Sequence, residues 1–148
     1  MTESVKAIEP TSVPLALYVH IPWCERKCPY CDFNSHEQFD AGLEGDYVAA
    51  LLDDLGQQLS HSGSDDDATH LRKRDLTSVF IGGGTPSLFS GGAVSELLEG
   101  IDQLMSLSNA EVTLESNPGS AESSRYCDYR AAGVNRLSIG VQSFNDAS

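Results

Sequence analysis

The run YVHIPWCERKCPYCDF at residues 18–33 decides how the chain is interpreted, because it places Cys24, Cys28 and Cys31 within eight residues of one another. Its apolar beginning is typical of a buried strand, and Pro22 ends that strand just before the cysteines. Thiolates are the ligands that iron–sulfur clusters, zinc and cuprous ions prefer. The run therefore predicts a strand that delivers a metal-binding loop.

Three thiolates do not complete a tetrahedral zinc site, which needs a fourth Cys or His. The nearby candidates are His20 and His36, but neither repeats the paired spacing of a zinc motif. In a [4Fe-4S] cluster held by three cysteines, each thiolate binds one iron and the fourth iron stays open to another ligand. The spacing favours such a cluster, and it leaves a zinc site or unligated thiols as alternatives.

Working outward, the hydrophobic pattern predicts strands that alternate with helices. Strands are expected at 15–20, 77–81, 111–116 and 134–141. Helices are expected from Leu43 onward, at 94–104 after a Ser90 cap, and at 120–132 between a Ser120 cap and Gly133. Residues 61–75 form a polar insert that reads as a solvated loop. Alternation of this kind predicts an α/β fold with a parallel sheet.

The motifs fall where strands end. The cysteines follow the first strand, a glycine run at 82–84 follows the second, Glu115 ends the third, and Gln142 follows the fourth. Parallel α/β sheets and barrels bring residues from several strands together at their carboxyl ends, which is where their active sites lie. We therefore expect one site at this edge, where glycines would let backbone N–H groups approach a polar ligand.

Length and charge limit the possible functions. A chain of 148 residues predicts one domain, residues 15–148, after a loose polar leader at 1–14. Its 22 acidic and 9 basic residues give a net charge of −13, which disfavours nucleic-acid binding. The sequence contains neither a secretory signal nor a run of about 18 apolar residues. These features predict a cytoplasmic protein.

Four blocks of sequence resemble one family. The cysteine motif with Tyr30 before its third cysteine resembles the radical S-adenosyl-L-methionine (SAM) proteins. The blocks GGGTPS at 82–87, ESNPG at 115–119 and NRLSIGVQSFND at 135–146 resemble the oxygen-independent coproporphyrinogen III oxidase-like branch of that superfamily. The resemblance implies the N-terminal part of a partial (β/α)6 barrel of TIM type, truncated after about four βα units of a longer protein.

The resemblance also implies a site. Cys24, Cys28 and Cys31 would bind a [4Fe-4S] cluster whose reduced form cleaves SAM to a 5′-deoxyadenosyl radical. Gly83 to Thr85 would receive the SAM amino group, Glu115 the ribose, and Tyr30 the adenine. The full set of SAM-contacting residues that the family implies is Tyr18, Tyr30, Gly83, Gly84, Thr85, Glu115 and Gln142. The resemblance assigns no catalytic residue.

Phe33 separates two branches of the family. The oxidases carry an extra cysteine two residues after the third ligand, whereas CDFNSH at 31–36 resembles the HemW branch of heme chaperones. This implies heme as cargo, a heme-acceptor protein, an electron donor and peripheral membrane association through the acceptor. The oxidase that converts coproporphyrinogen III to protoporphyrinogen IX is one alternative, and a zinc-stabilised structural module is another.

Overall fold

Four parallel strands form the sheet that the hydrophobic pattern predicts. The computed structural model describes residues 12–61, 71–72, 74–118, 124–141 and 143–145. Its strands are β1 (Leu15–Ile21), β2 (Leu76–Gly83), β3 (Glu111–Ser116) and β4 (Arg136–Ile139), and its helices are α1 (Glu44–His61), α2 (Gly91–Leu104) and α3 (Tyr126–Ala132). Short 3-10 turns occupy Ala41–Leu43 and Pro86–Leu88. The strands lie in the order β1-β2-β3-β4, and every neighbouring pair is parallel, so the α/β prediction is confirmed.

The helices cover one face of the sheet. Alternate strand residues such as Val19, Ile81 and Leu114 are buried there, and they share a core with Val94 and Leu97 of α2. Because successive side chains of a strand point to opposite faces, the residues between them lie on the other face. That second face carries Tyr18, His20, Phe80 and Glu115, and Tyr18 is 56% exposed.

Several predicted boundaries are confirmed. β3 occupies the predicted residues 111–116, and Gly133 ends α3 in the left-handed conformation, with φ of 113°. Ser90 caps α2, since its hydroxyl accepts a hydrogen bond from the amide of Ala93. The leader at 1–14 and the insert at 61–75 lie mostly outside the described residues and stay predictions.

Three elements show the larger differences from the predicted boundaries. β2 does not stop at the glycines, because Gly82 and Gly83 pair with His20 and Ile21 of β1 and so extend the ladder. β4 is shorter than 134–141, since its pairing with β3 covers only Arg136–Ile139. α3 begins at Tyr126 rather than at Ser120, which lies outside the described residues.

Tyr129 joins α3 to the segment that follows the glycine run. Its hydroxyl is fully buried and lies 2.8 Å from the carbonyl oxygens of both Ser87 and Phe89. We expect Tyr129→Phe to lower the free energy of unfolding by about 1–2 kcal/mol, since it removes a donor from the Phe89 carbonyl, whereas the Ser87 carbonyl keeps its hydrogen bond from Arg125. Tyr126→Phe is the matched control and should cost less, because the Ser116 hydroxyl beside it also lies 3.1 Å from the Asn117 carbonyl. Equal losses in denaturant unfolding would contradict this.

Candidate metal and cofactor site

Backbone hydrogen bonds close the cysteine loop at its base. The amide of Cys24 donates to the carbonyl of His36 at 2.8 Å, and the amide of His36 donates to the carbonyl of Pro22 at 2.7 Å. Cys24 is buried at this base, whereas Cys28 is exposed and Cys31 is half-buried. The loop is therefore fixed at its ends and presents thiols at different depths.

The glycine run packs directly against the cysteine loop. The amide of Gly84 donates to the carbonyl of Ile21 at 2.8 Å, and the amide of Thr85 donates to the carbonyl of Trp23 at 2.7 Å. A Cβ atom on Gly84 would lie 2.5 Å from the Trp23 carbonyl oxygen and 2.9 Å from the Cys24 sulfur. Only glycine permits this approach, so the two motifs form one structural unit.

The amides of Gly83, Gly84 and Thr85 are already used within the protein. Besides the two bonds above, the Gly83 amide donates to Oε2 of Glu115 at 3.1 Å. The expectation that these N–H groups face a polar ligand is therefore wrong, because the Gly83 amide is bound by a carboxylate and the next two amides by carbonyls at the end of β1 and just after it. The SAM amino group is itself a donor and would need acceptors, such as carbonyl oxygens, from this segment.

One cleft collects most of the predicted site residues. It has a volume of about 510 Å³ and lies at the carboxyl ends of the strands. Its lining includes the predicted residues Cys24, Cys28, Cys31, Tyr30, Gly83, Gly84, Thr85 and Glu115. Tyr18 lies on β1 outside this lining, and Gln142 lies outside the described residues.

The cleft also contains residues that the sequence reasoning did not assign. Arg26 comes from within the cysteine motif, Asn117 from the ESNPG block and Ser138 from β4. All three residues lie inside the sequence blocks on which the resemblance rests. Membership of those blocks was therefore the signal that could have identified them as site residues. Phe33 lines the cleft as well and is 68% exposed.

Both tyrosines of the predicted site have raised pKa values. A hydrogen bond with Cys28 is the main cause that raises the pKa of Tyr30, and it places that hydroxyl beside the thiol. Partial burial, followed by the negative charge of Glu115, raises the pKa of Tyr18. Both phenols are therefore protonated at neutral pH.

The cysteine sulfurs suit a cluster in their chemistry and position. Among the described residues, no three His, Cys, Asp or Glu side chains converge closely enough to hold a single metal ion. The thiolates of a cluster bind separate irons, so they need not converge on one point. Three cysteines open onto the cleft, and the contact between Gly84 and the Cys24 sulfur leaves no room for a side chain there. The donor set thus fits a three-cysteine cluster.

Comparison with protein families identifies the group to which this chain belongs. Residues 18–147 match the radical SAM superfamily. The chain is a member of that superfamily. The superfamily implies a [4Fe-4S] cluster and SAM. Within the described residues, none of the helices is long and apolar enough to cross a membrane.

Individual proteins are also similar in sequence to this chain. The chain is 51% identical to the heme chaperone HemW of Escherichia coli over 90% of this chain and 33% of that protein. It is 49% identical to HemW of Haemophilus influenzae over 93% of this chain and 35% of that protein. Mouse radical S-adenosyl methionine domain-containing protein 1, which is mitochondrial, is 44% identical over 94% of this chain and 29% of that protein.

A solved structure confirms the fold. Coproporphyrinogen III oxidase (HemN) from Escherichia coli, a radical SAM enzyme, superposes with a TM-score of 0.73 and 31% identity. The match covers 93% of this chain and 30% of HemN. The parallel sheet is thus the N-terminal part of a radical SAM fold, and the chain spans about a third of the length of the relatives it matches.

Proposed function

We propose that this chain is the cluster-binding and SAM-binding part of a heme chaperone. The observation that best supports this proposal is that three cysteines, the glycine segment and Glu115 line one cleft together with Phe33. Phe33 stands where the oxidases that the sequence resembles carry an additional cysteine. The HemW relatives, at 49–51% identity, support the chaperone reading over the oxidase reading.

Cys24, Cys28 and Cys31 would hold three irons of a [4Fe-4S] cluster and leave the fourth for SAM. The bound cluster would supply one-electron chemistry to SAM. The protein orients both groups, because the cysteine loop and the segment around Gly84 are fixed to each other by backbone hydrogen bonds. Tyr30 lies beside Cys28 and is 81% exposed, which suits contact with the adenine ring.

Glu115 would bind the ribose of SAM. Its Oε2 accepts the Gly83 amide, whereas its other carboxylate oxygen has no hydrogen-bond partner among the described residues. A carboxylate at a strand's carboxyl end binds ribose hydroxyls in other nucleotide sites. The bond to Gly83 fixes the side chain and leaves one oxygen for the ligand. Gln142 would contact SAM from the segment after β4.

Glu115→Gln tests this role. We expect the dissociation constant for SAM to rise about tenfold, because a neutral amide replaces a charged acceptor. Equilibrium dialysis against the cluster-loaded full-length protein measures this constant. The matched control is Glu111→Gln on the same strand, where an exposed ion pair with Arg136 contributes little. Unchanged SAM binding in Glu115→Gln would show that Glu115 does not bind the ribose.

The proposal includes heme as cargo, a heme-acceptor protein, an electron donor and a cytoplasmic location. Any membrane association would occur through the acceptor. Heme is named in the HemW relatives, and the acceptor and donor are inferred from the chaperone role. The structural similarity to HemN keeps a coproporphyrinogen III oxidase as the second candidate.

One experiment separates the two candidates. The full-length protein, reconstituted anaerobically, is given SAM, a reductant and coproporphyrinogen III, and in parallel is loaded with heme and mixed with an apo-hemoprotein. We expect heme to move to the acceptor while coproporphyrinogen is not consumed. Protoporphyrinogen formed over many turnovers would instead make the protein an oxidase despite Phe33.

A further inference from the structure

His20 connects three parts of the site. Its Nε2 lies 2.8 Å from the carbonyl oxygen of Asn34, at the end of the cysteine loop, and its Nδ1 lies 3.1 Å from the Tyr18 hydroxyl. A Cβ atom on Gly83 would lie 2.9 Å from the ring. The Tyr47 hydroxyl donates to the His20 carbonyl at 2.8 Å and fixes the backbone. The ring is thus held between the loop, the glycine segment and Tyr18.

The partners of His20 determine the direction of both hydrogen bonds. The Asn34 carbonyl can only accept, so Nε2 carries the proton and donates to it. In the neutral ring Nδ1 is then an acceptor, and the Tyr18 hydroxyl donates to it. Burial and the charge of Glu115 raise the pKa of Tyr18, which keeps that hydroxyl protonated. Tyr18 consequently turns only oxygen lone pairs toward any further partner.

We propose that His20 is a positioning residue that fixes the end of the cysteine loop through Asn34 and presents Tyr18 to SAM as a hydrogen-bond acceptor. SAM carries suitable donors in its ammonium group, its ribose hydroxyls and its adenine amino group. This inference rests on the proposed cluster and SAM site, and it does not depend on heme transfer.

Three substitutions of His20 test its hydrogen bonds to Asn34 and to Tyr18 separately. His20→Gln places an amide N–H near the position of Nε2 and keeps the bond to Asn34. His20→Asn places a carbonyl oxygen near the position of Nδ1 and keeps the acceptor for Tyr18. His20→Phe keeps the ring shape and loses both bonds. His36→Gln is the matched control, because the His36 side chain is exposed and makes no hydrogen bond within the described residues.

Two readouts are measured on the full-length protein: the lifetime of the cluster in air, followed by its visible absorbance, and the dissociation constant for SAM. We expect His20→Gln to keep the cluster lifetime but weaken SAM binding about fivefold, as Tyr18→Phe should. His20→Asn should show the reverse, with a lifetime about fivefold shorter and near-normal SAM binding. His20→Phe should both shorten the cluster lifetime and weaken SAM binding.

This crossed pattern is not expected if His20 only fills space. Variants that all resemble the wild type, or all resemble His20→Phe, would overturn the inference, as would a His20→Gln or a His20→Asn protein in which the two readouts change together. A wild-type protein that holds no cluster or binds no SAM would overturn the proposed site and this inference with it. A wild type that holds both without the crossed pattern overturns the inference alone.

Discussion

Cys28→Ala is expected to leave the reconstituted full-length protein almost without iron and acid-labile sulfide. Cys28 is exposed on the cleft and would bind one iron. Two remaining cysteine ligands would leave two irons of the cluster without a protein donor. The loss should appear as the absence of the cluster's visible absorbance and as a fall in iron content to background.

The fourth cysteine of the chain is the control for this prediction. Cys127 is exposed on α3 and lies outside the cleft lining. Cys127→Ala should therefore retain the wild-type iron content after the same reconstitution. Iron retained in Cys28→Ala, or lost equally in Cys127→Ala, would show that the three-cysteine assignment is wrong.

Gly84→Ala is expected to disrupt the site without removing any ligand. The added Cβ would lie 2.5 Å from the Trp23 carbonyl oxygen and 2.9 Å from the Cys24 sulfur, so the cysteine loop must move away from the glycine run. Overpacking of a well-packed position costs about 1–3 kcal/mol in the free energy of unfolding. We expect a loss near the upper end of that range, because two of the three closest atoms belong to backbone.

The same substitution should also lower the iron content after reconstitution, since the displaced loop carries the ligands. Gly56→Ala is the matched control, because Gly56 lies in α1 with no atom within 4 Å of an added Cβ. Alanine there should stabilise the helix by roughly 0.5–1 kcal/mol. Gly84→Ala with wild-type stability and iron content would contradict the close packing of the two motifs.

Local signals predicted most of the fold. The alternation at 111–116, the Ser90 cap and the Gly133 stop are encoded by neighbouring residues, and the structure confirms each. The extension of β2 through Gly82 and Gly83 was missed, because glycine disfavours strands on its own and only pairing with β1 holds it there. Such pairing depends on residues that are distant in sequence.

In the candidate site, too, some features follow from local sequence and others depend on residues that are distant in sequence. The motif residues that meet in the cleft were predicted from their positions at strand ends. The use of the Gly83 amide by Glu115 was not, because that bond spans 32 residues. The sequence left the role of His20 open between a zinc ligand, a packed strand histidine and a hydrogen-bonding residue beside the cluster region. Its bond to Asn34 spans 14 residues and depends on how the cysteine loop folds back.

The most direct test of this account is electron paramagnetic resonance of the reduced, reconstituted full-length protein with and without SAM. The proposed site would hold the cluster on three cysteines and SAM on the open iron, with Glu115 and Tyr18 as contacts to SAM. It predicts a [4Fe-4S]⁺ signal whose g values shift when SAM is added. A cluster signal that SAM leaves unchanged, or no cluster signal, would contradict it.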